Sequence, residues 1–180
     1  MRHTLCLIAA SFALLSTPAA FAALAVGTAA PSFSADAAVG GQLFKFNLAE
    51  TLKKGPVVLY FYPKAFTSGC TVEAHNFAEA TDKFKAMGAT VIGISADDIE
   101  TLKKFSVEGC RSKFAVAADV NGKVMRDYDS ALRLMPGAAD RISYLIAADG
   151  KVAAVYASLN PDGHVDAMLN AVAQLKTVKR

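Results

Sequence analysis

Apolar residues in this chain gather in short continuous blocks, separated by stretches where they recur every three or four positions. Val57-Val58-Leu59-Tyr60-Phe61-Tyr62 reads as a buried strand, and Thr90 to Ser95 as a second. Between them Phe77, Ala80, Phe84 and Met87 share one face at helical spacing, which predicts a helix from about Cys70 to Met87 ended by Gly88. Asp97 with Glu100 three residues on forms a capping box for a helix that turns Ile99, Leu102 and Phe105 toward the core, with Gly109 and Cys110 at its end. Phe114 to Ala117 predicts a short strand and Val124 to Tyr128 a helical turn. Ile142 to Ala147 and Val152 to Ala157 predict a hairpin around Ala148-Asp149-Gly150-Lys151, and a last helix runs from about Asp162 to Lys176. Upstream, Ser32-Phe33-Ser34 and Leu43-Phe44-Lys45-Phe46 flank Gly40-Gly41 as an N-terminal β-hairpin, and Asn47 to Lys54 forms a short helix stopped by Gly55-Pro56. This order predicts an α/β fold: one central mixed sheet flanked by helices on both faces.

The first 22 residues follow a different pattern. Arg2 and His3 make a short polar start, Leu5 to Leu15 is apolar or small apart from Ser11, and Thr17-Pro18-Ala19-Ala20-Phe21-Ala22 ends in a small-x-small site. They read as a secretory signal peptide cleaved after Ala22, too short in its apolar part for the roughly 20 residues that span a bilayer. Cys6 lies inside the apolar part and Arg2 stands alone, so neither a lipidated N-terminal cysteine nor a twin-arginine signal is expected. Export to a bacterial periplasm follows, with residues 23–180 as one domain and no membrane attachment after cleavage. Removing the signal leaves Cys70 and Cys110 of three cysteines, an even pair compatible with a disulfide in an oxidising compartment. It also takes the net charge from +3 to +2 through loss of Arg2, too little for a nucleic-acid footprint.

Cys70 closes the run Pro63-Lys64-Ala65-Phe66-Thr67-Ser68-Gly69-Cys70, where the first buried strand gives way to a helix. That position sets a thiol against unpaired backbone N–H groups and the positive end of a helix dipole, both of which favour the thiolate. Lowering a thiol from its usual ~8.5 to about 6 requires roughly 3.4 kcal/mol of preferential thiolate stabilisation. A helix end supplies ~0.3–1 kcal/mol, and up to ~2 when partly buried, so directed donors and a cation must provide the rest. Thr67 and the Cys70 backbone N–H are local donors; the cation must come from elsewhere in the chain.

Pro63, Thr67 and Cys70 stand in the pattern Pro-x-x-x-Thr-x-x-Cys directly after an apolar strand, and in this the chain resembles the peroxiredoxins, whose fold is thioredoxin-like. The resemblance runs from about Gly27 to Val172. It is closest to the Q-type, or bacterioferritin-comigratory, branch through Leu59-Tyr60-Phe61-Tyr62-Pro63-Lys64, Gly69-Cys70-Thr71, Glu73-Ala74, Asp140-Arg141-Ile142-Ser143-Tyr144-Leu145-Ile146 and Asp149-Gly150-Lys151-Val152. It implies a thiol peroxidase for hydrogen peroxide and small organic hydroperoxides. Cys70 would be the peroxidatic cysteine, Thr67 would hydrogen-bond thiolate and peroxide, Pro63 would shield the pocket, and Arg141 would be the missing cation. Glu73, one turn into the helix, would orient Arg141 through an ion pair.

The chain departs from the branch in one respect: many members carry a resolving cysteine five residues after the peroxidatic one, and here that residue is His75. Other members carry it in the following helix, so the resemblance leaves Cys110 as the intramolecular partner and a Cys70–Cys110 disulfide as the oxidised state. Disulfide formation needs Cα atoms within about 7 Å, so local unwinding is expected to accompany oxidation, eased by Gly69 and Gly109. The resemblance implies no metal, haem or flavin, a thioredoxin-like dithiol protein as reductant, and a monomer or weak dimer. His75 and His164 show no metal-ligand spacing with the cysteines and read as surface residues, and Phe66 as part of the pocket rim. Two rival readings remain: a thiol–disulfide oxidoreductase acting on proteins, which lacks its Cys-x-x-Cys pair here, and a non-enzymatic binding or chaperone-like module stapled by its cysteines.

Overall fold

The computed structural model describes residues 23–178, so the signal peptide and its cleavage point lie outside the described residues. In chain order the elements are β1 (Ser34–Val39), β2 (Gln42–Asn47), α1 (Leu48–Leu52), β3 (Val57–Phe61), α2 (Ser68–Ala86), β4 (Thr90–Ser95), α3 (Ile99–Glu108), β5 (Ala115–Ala118), α4 (Lys123–Asp127), β6 (Ile142–Ile146), β7 (Val152–Ala157) and α5 (His164–Val178). The strands form one seven-stranded mixed sheet in the order β2-β1-β5-β4-β3-β6-β7. β3, β4 and β5 run parallel, joined by the crossovers that contain α2 and α3, while β6, β7, β1 and β2 add antiparallel edges.

Alternation along β3 divides the core. Val58 and Tyr60, with Tyr62 just beyond, pack against α2, α3 and α5; Val57, Leu59 and Phe61 pack on the other face against α1 and α4. Every residue of β3 is buried, as a central strand covered on both faces must be. The functional consequence lies in the register. Ile142 opposes Phe61, so Arg141 comes to the carboxyl end of β3, next to the loop that leads into α2. Cys70 and Arg141 are separated by 71 positions in sequence, a span closed by one strand pairing.

The element order agrees with the sequence reading, and the differences are local. In the hairpin, β1 starts at Ser34 and runs through the small residues Ala35, Ala37 and Ala38, which carry little strand propensity of their own and are held by pairing with β2 and β5. Gly40 and Gly41 make the turn, both at positive φ (55° and 77°), as a two-residue hairpin loop of this hand requires. α2 begins at Ser68, two residues before the expected start, which puts Cys70 inside its first turn. The cap of α3 is Asp98, whose Oδ1 accepts from the Thr101 N–H at 2.8 Å, and not the expected Asp97 box. Asp97 instead accepts from Ser95 Oγ at 2.8 Å and from the Ala65 N–H at 2.7 Å, anchoring the loop between β3 and α2. Of two adjacent aspartates, packing gave the outer one to the helix and the inner one to the loop.

Candidate active site

Cys70 is 2% exposed, in the first turn of α2 against Tyr60, Tyr62 and Phe77. That first turn contains no acidic residue, so none within it competes for its free N–H groups. The cation is present. Arg141 Nη2 donates to Cys70 Sγ at 3.5 Å, its Nη1 donates to Glu73 Oε2, and its Nε donates to the Leu159 carbonyl at 3.0 Å. Three directions of the guanidinium are thus occupied, and its backbone N–H is bonded to Asp140 Oδ1 at 2.7 Å. Gly69 leaves the room this needs: a Cβ there would stand 3.3 Å from Arg141 Nη2.

Arg141 and Glu73 are paired, with the carboxyl side fully buried. A buried pair of this kind adds little net stability, because desolvation consumes most of the Coulomb gain; its value here is orientation. Burial pushes the Glu73 carboxyl up to about 8, against the opposing pull of Arg141. Burial also works against the Arg141 charge, but Glu73 and Cys70 outweigh it and raise the pKa of Arg141. The raised Glu73 value has a consequence for stability. Above about pH 4.5 the unfolded chain has lost this proton while the folded chain keeps it, so folding weakens as pH rises toward 8. His164, which burial pushes below its usual 6.5, acts in the opposite sense and only at lower pH. Between pH 6.5 and 8, urea unfolding is expected to show wild type losing up to about 1.4 kcal/mol per pH unit more than Glu73→Gln. Parallel stability curves for the two proteins would contradict this.

Thr67 is the N-cap residue of α2, three positions before Cys70. Its side chain is exposed and donates to the Lys64 carbonyl at 3.0 Å, so its single hydroxyl proton is used within the loop and not on sulfur. Pro63 is half-buried at the end of β3, and Phe66 is exposed with φ +64°, its ring edge-on to Phe105 of α3 at 5.1 Å. Cys110, immediately after the Gly109 cap of α3, is fully buried in the same core cluster as Cys70, and both thiols are free. Burial pushes the Cys110 thiol far up. Gly109 has a steric cause here, since a Cβ would come within 2.3 Å of the Phe105 ring. The next two residues, Arg111 and Ser112, both take positive φ (49° and 57°), a strained conformation costing about 1 kcal/mol or more each for residues with a Cβ.

His164 is not at the surface. It is fully buried, with Nδ1 2.8 Å from Ser143 Oγ and 3.6 Å from Glu73 Oε1, and Nε2 2.9 Å from the Ser158 carbonyl. A usable signal was present: His164, Met168 and Val172 fall at i, i+4 and i+8, and the latter two are core residues of α5. Ser143 and Asp97 had no such signal, because their partners lie on other elements. Among the described residues no group of three or more His, Cys, Asp or Glu is placed to hold a metal, and His75 is half-buried on α2.

A thioredoxin-like sheet with a buried cysteine in the helix turn beyond the carboxyl end of a central strand, against an arginine at the start of a neighbouring strand, is the arrangement of a class of thiol-dependent peroxidases. The AhpC/TSA family description matches residues 26–155. Peroxiredoxin Bcp of Escherichia coli strain K12 is 34% identical over 152 residues, covering 82% of this chain and 94% of its own length. The chloroplastic peroxiredoxin Q of Gentiana triflora is 34% identical over 151 residues, covering 83% of this chain and 67% of its own. Among solved structures, peroxidoxin BcpB of Mycobacterium tuberculosis superposes with a TM-score of 0.73 at 31% identity, over 86% of this chain and 98% of that one. The chain therefore belongs to the AhpC/TSA family, as a peroxiredoxin of the Q/Bcp type, and is a thiol-dependent peroxidase.

Proposed function

We propose that Cys70 is the peroxidatic cysteine and Cys110 the resolving one. The observation that carries this reading is the Arg141 Nη2 to Cys70 Sγ contact at 3.5 Å, which places a fixed cation on a buried sulfur. The thiolate sulfur attacks one peroxide oxygen; the S–O bond forms as the O–O bond breaks, and the departing hydroxide or alkoxide takes a proton and leaves as water or alcohol. The guanidinium lies where it meets both the sulfur and the charge that develops on oxygen. At 2% exposure Cys70 is closed to a protein substrate, which favours hydrogen peroxide and small organic hydroperoxides. Pro63 would shield the sulfur and Phe66, exposed on the same loop, would form the rim of its pocket.

Cys110 then attacks the sulfenic sulfur, releasing water and forming the disulfide, and a thioredoxin-like dithiol protein returns two electrons and two protons. With Cys110 wholly buried and its thiol held protonated, this step requires the end of α3 to open. The left-handed Arg111 and Ser112 support such opening because their strain is released by it, and the ion pairs that tie this turn to α2, Arg111–Glu79 and Lys113–Asp82, are exposed and weak. The protein acts as a monomer or weak dimer, exported to a periplasm after cleavage at Ala22, with residues 23–180 as its domain. Mature protein beginning at Ala23 by N-terminal sequencing supports export, and an intact Met1 in the producing cell contradicts it. Peptide mass mapping after one equivalent of hydrogen peroxide tests the chemistry. A Cys70–Cys110 linkage is expected; a lone sulfenic acid on Cys70 would make Cys110 a bystander, and oxidation away from Cys70 would overturn the assignment.

A further inference from the structure

We infer that Glu73 keeps a buried proton on Oε1, the oxygen that faces His164 Nδ1, and that this proton leaves the charge of Arg141 to Cys70. His164 is thereby a positioning residue for peroxide reduction, an inference that rests on Cys70 being the cysteine that meets peroxide.

The two oxygens of Glu73 have unequal surroundings. Oε2 accepts from Arg141 Nη1, whereas Oε1 is buried with no hydrogen-bond partner. An acceptor stripped of water and left bare is costly, and more so when it carries charge. The group that faces Oε1 is His164 Nδ1, at 3.6 Å. The other ring nitrogen settles the tautomer: Nε2 lies 2.9 Å from the Ser158 carbonyl, which can only accept, so Nε2 bears hydrogen. A neutral ring then turns the Nδ1 lone pair toward the Oε1 lone pairs, and two acceptors oppose each other. A proton on Oε1 removes the conflict, since a neutral hydroxyl then faces the Nδ1 lone pair. Ser143 Oγ, 2.8 Å from Nδ1, can donate or accept and so adapts to either arrangement.

The same proton corrects the charge balance. With Cys70 as thiolate and Glu73 as carboxylate, one guanidinium would serve two buried anions; with the proton in place it serves one. The groups packed around the pair are Cys70 on α2, Tyr60 on β3, Arg141 just before β6, Ser143 on β6, the Tyr156 ring on β7 edge-on to His164 at 4.8 Å, and the Ser158 carbonyl. Tyr60 is kept neutral because burial pushes its phenol well up, which leaves Arg141 as the fixed cation among them. Burial also raises Glu73 and lowers His164, which is the direction expected of a pair that holds one proton and not two.

The test uses full-length protein, Glu73→Gln and His164→Asn, with stopped-flow measurement of Cys70 oxidation by hydrogen peroxide across pH 6 to 10. In wild type the rate constant is expected to fall roughly tenfold on the alkaline side as the proton leaves and Arg141 becomes shared. Glu73→Gln mimics the protonated carboxyl, with an N–H for Nδ1, and should lose this alkaline limb. His164→Asn offers a permanent N–H donor to Oε1, favours the carboxylate, and should move the limb down by about one pH unit. Infrared spectroscopy of the untreated proteins gives an independent readout. A protonated-carboxyl band present at neutral pH, lost above it and missing from Glu73→Gln supports the proton on Glu73 whatever Cys70 does. If that band is present but oxidation maps elsewhere than Cys70, only the peroxidatic reading fails. Absence of the band, or one alkaline limb common to all three proteins, would overturn the inference.

Discussion

Replacing Arg141 with glutamine is expected to slow the reaction of Cys70 with hydrogen peroxide by about 10²- to 10³-fold, the loss typical when a preorganised donor to developing negative charge is removed. The size follows from the geometry. Arg141 is anchored by Glu73 through Nη1 and by the Leu159 carbonyl through Nε, so Nη2 is aimed at the sulfur without reorganisation. Arg141→Lys keeps the charge but supplies one ammonium head where the fork holds three directions, and should restore no more than about a tenth of the lost activity. Stopped-flow oxidation under single-turnover conditions is the measurement, with circular dichroism to confirm folding. A rate within threefold of wild type for the glutamine variant would show that the contact at the sulfur carries no catalytic weight.

The second large effect is on stability. Phe105→Ala is expected to destabilise the protein by about 3–5 kcal/mol, the usual cost of deleting a fully buried phenylalanine, and to lower Tm by roughly 6–20 °C. Phe105 is wholly buried, its ring lies 5.7 Å from Tyr62 and 5.1 Å from Phe66, and Gly109 is bare of a side chain to admit it. It therefore joins the end of α3, which carries Cys110, to the loop before Cys70. The variant should also form the Cys70–Cys110 disulfide at a lower free-energy cost of opening, seen as faster appearance of the linked peptide after one equivalent of peroxide. Thermal melts and timed mapping check both halves, and an unchanged Tm would refute the packing argument.

How much of this could be read from the chain depends on the distance over which each feature is decided. Val57 to Phe61 declares itself by composition, α2 by the spacing of Phe77, Ala80 and Phe84, and the first hairpin by Gly40-Gly41. β1 was only half visible, since alanine pairs in a sheet when its neighbours supply the ladder and not through its own preference. The Asp97 and Asp98 assignment failed for a related reason: both satisfy a helix start locally, and the loop around Ala65 claims one of them. Thr67 is assigned to the sulfur by resemblance alone; its hydroxyl bond to the Lys64 carbonyl is a loop contact that the sequence does not announce.

The sequence by itself determined the order of strands and helices and the location of Cys70 where a buried strand meets a helix, because hydrophobic period, turn residues and strand-to-helix changeover are properties of neighbouring residues. Only the tertiary structure decided that Arg141 reaches that sulfur, that Glu73 keeps one oxygen without a partner, and that His164 faces it from the last helix. These depend on the β3–β6 register and on the packing of α5 against the sheet, which bring together residues far apart along the chain and remove them from water. Burial turns such meetings into chemistry, since the energy of a charge or an unpaired oxygen is set by what surrounds it and not by what precedes it in sequence.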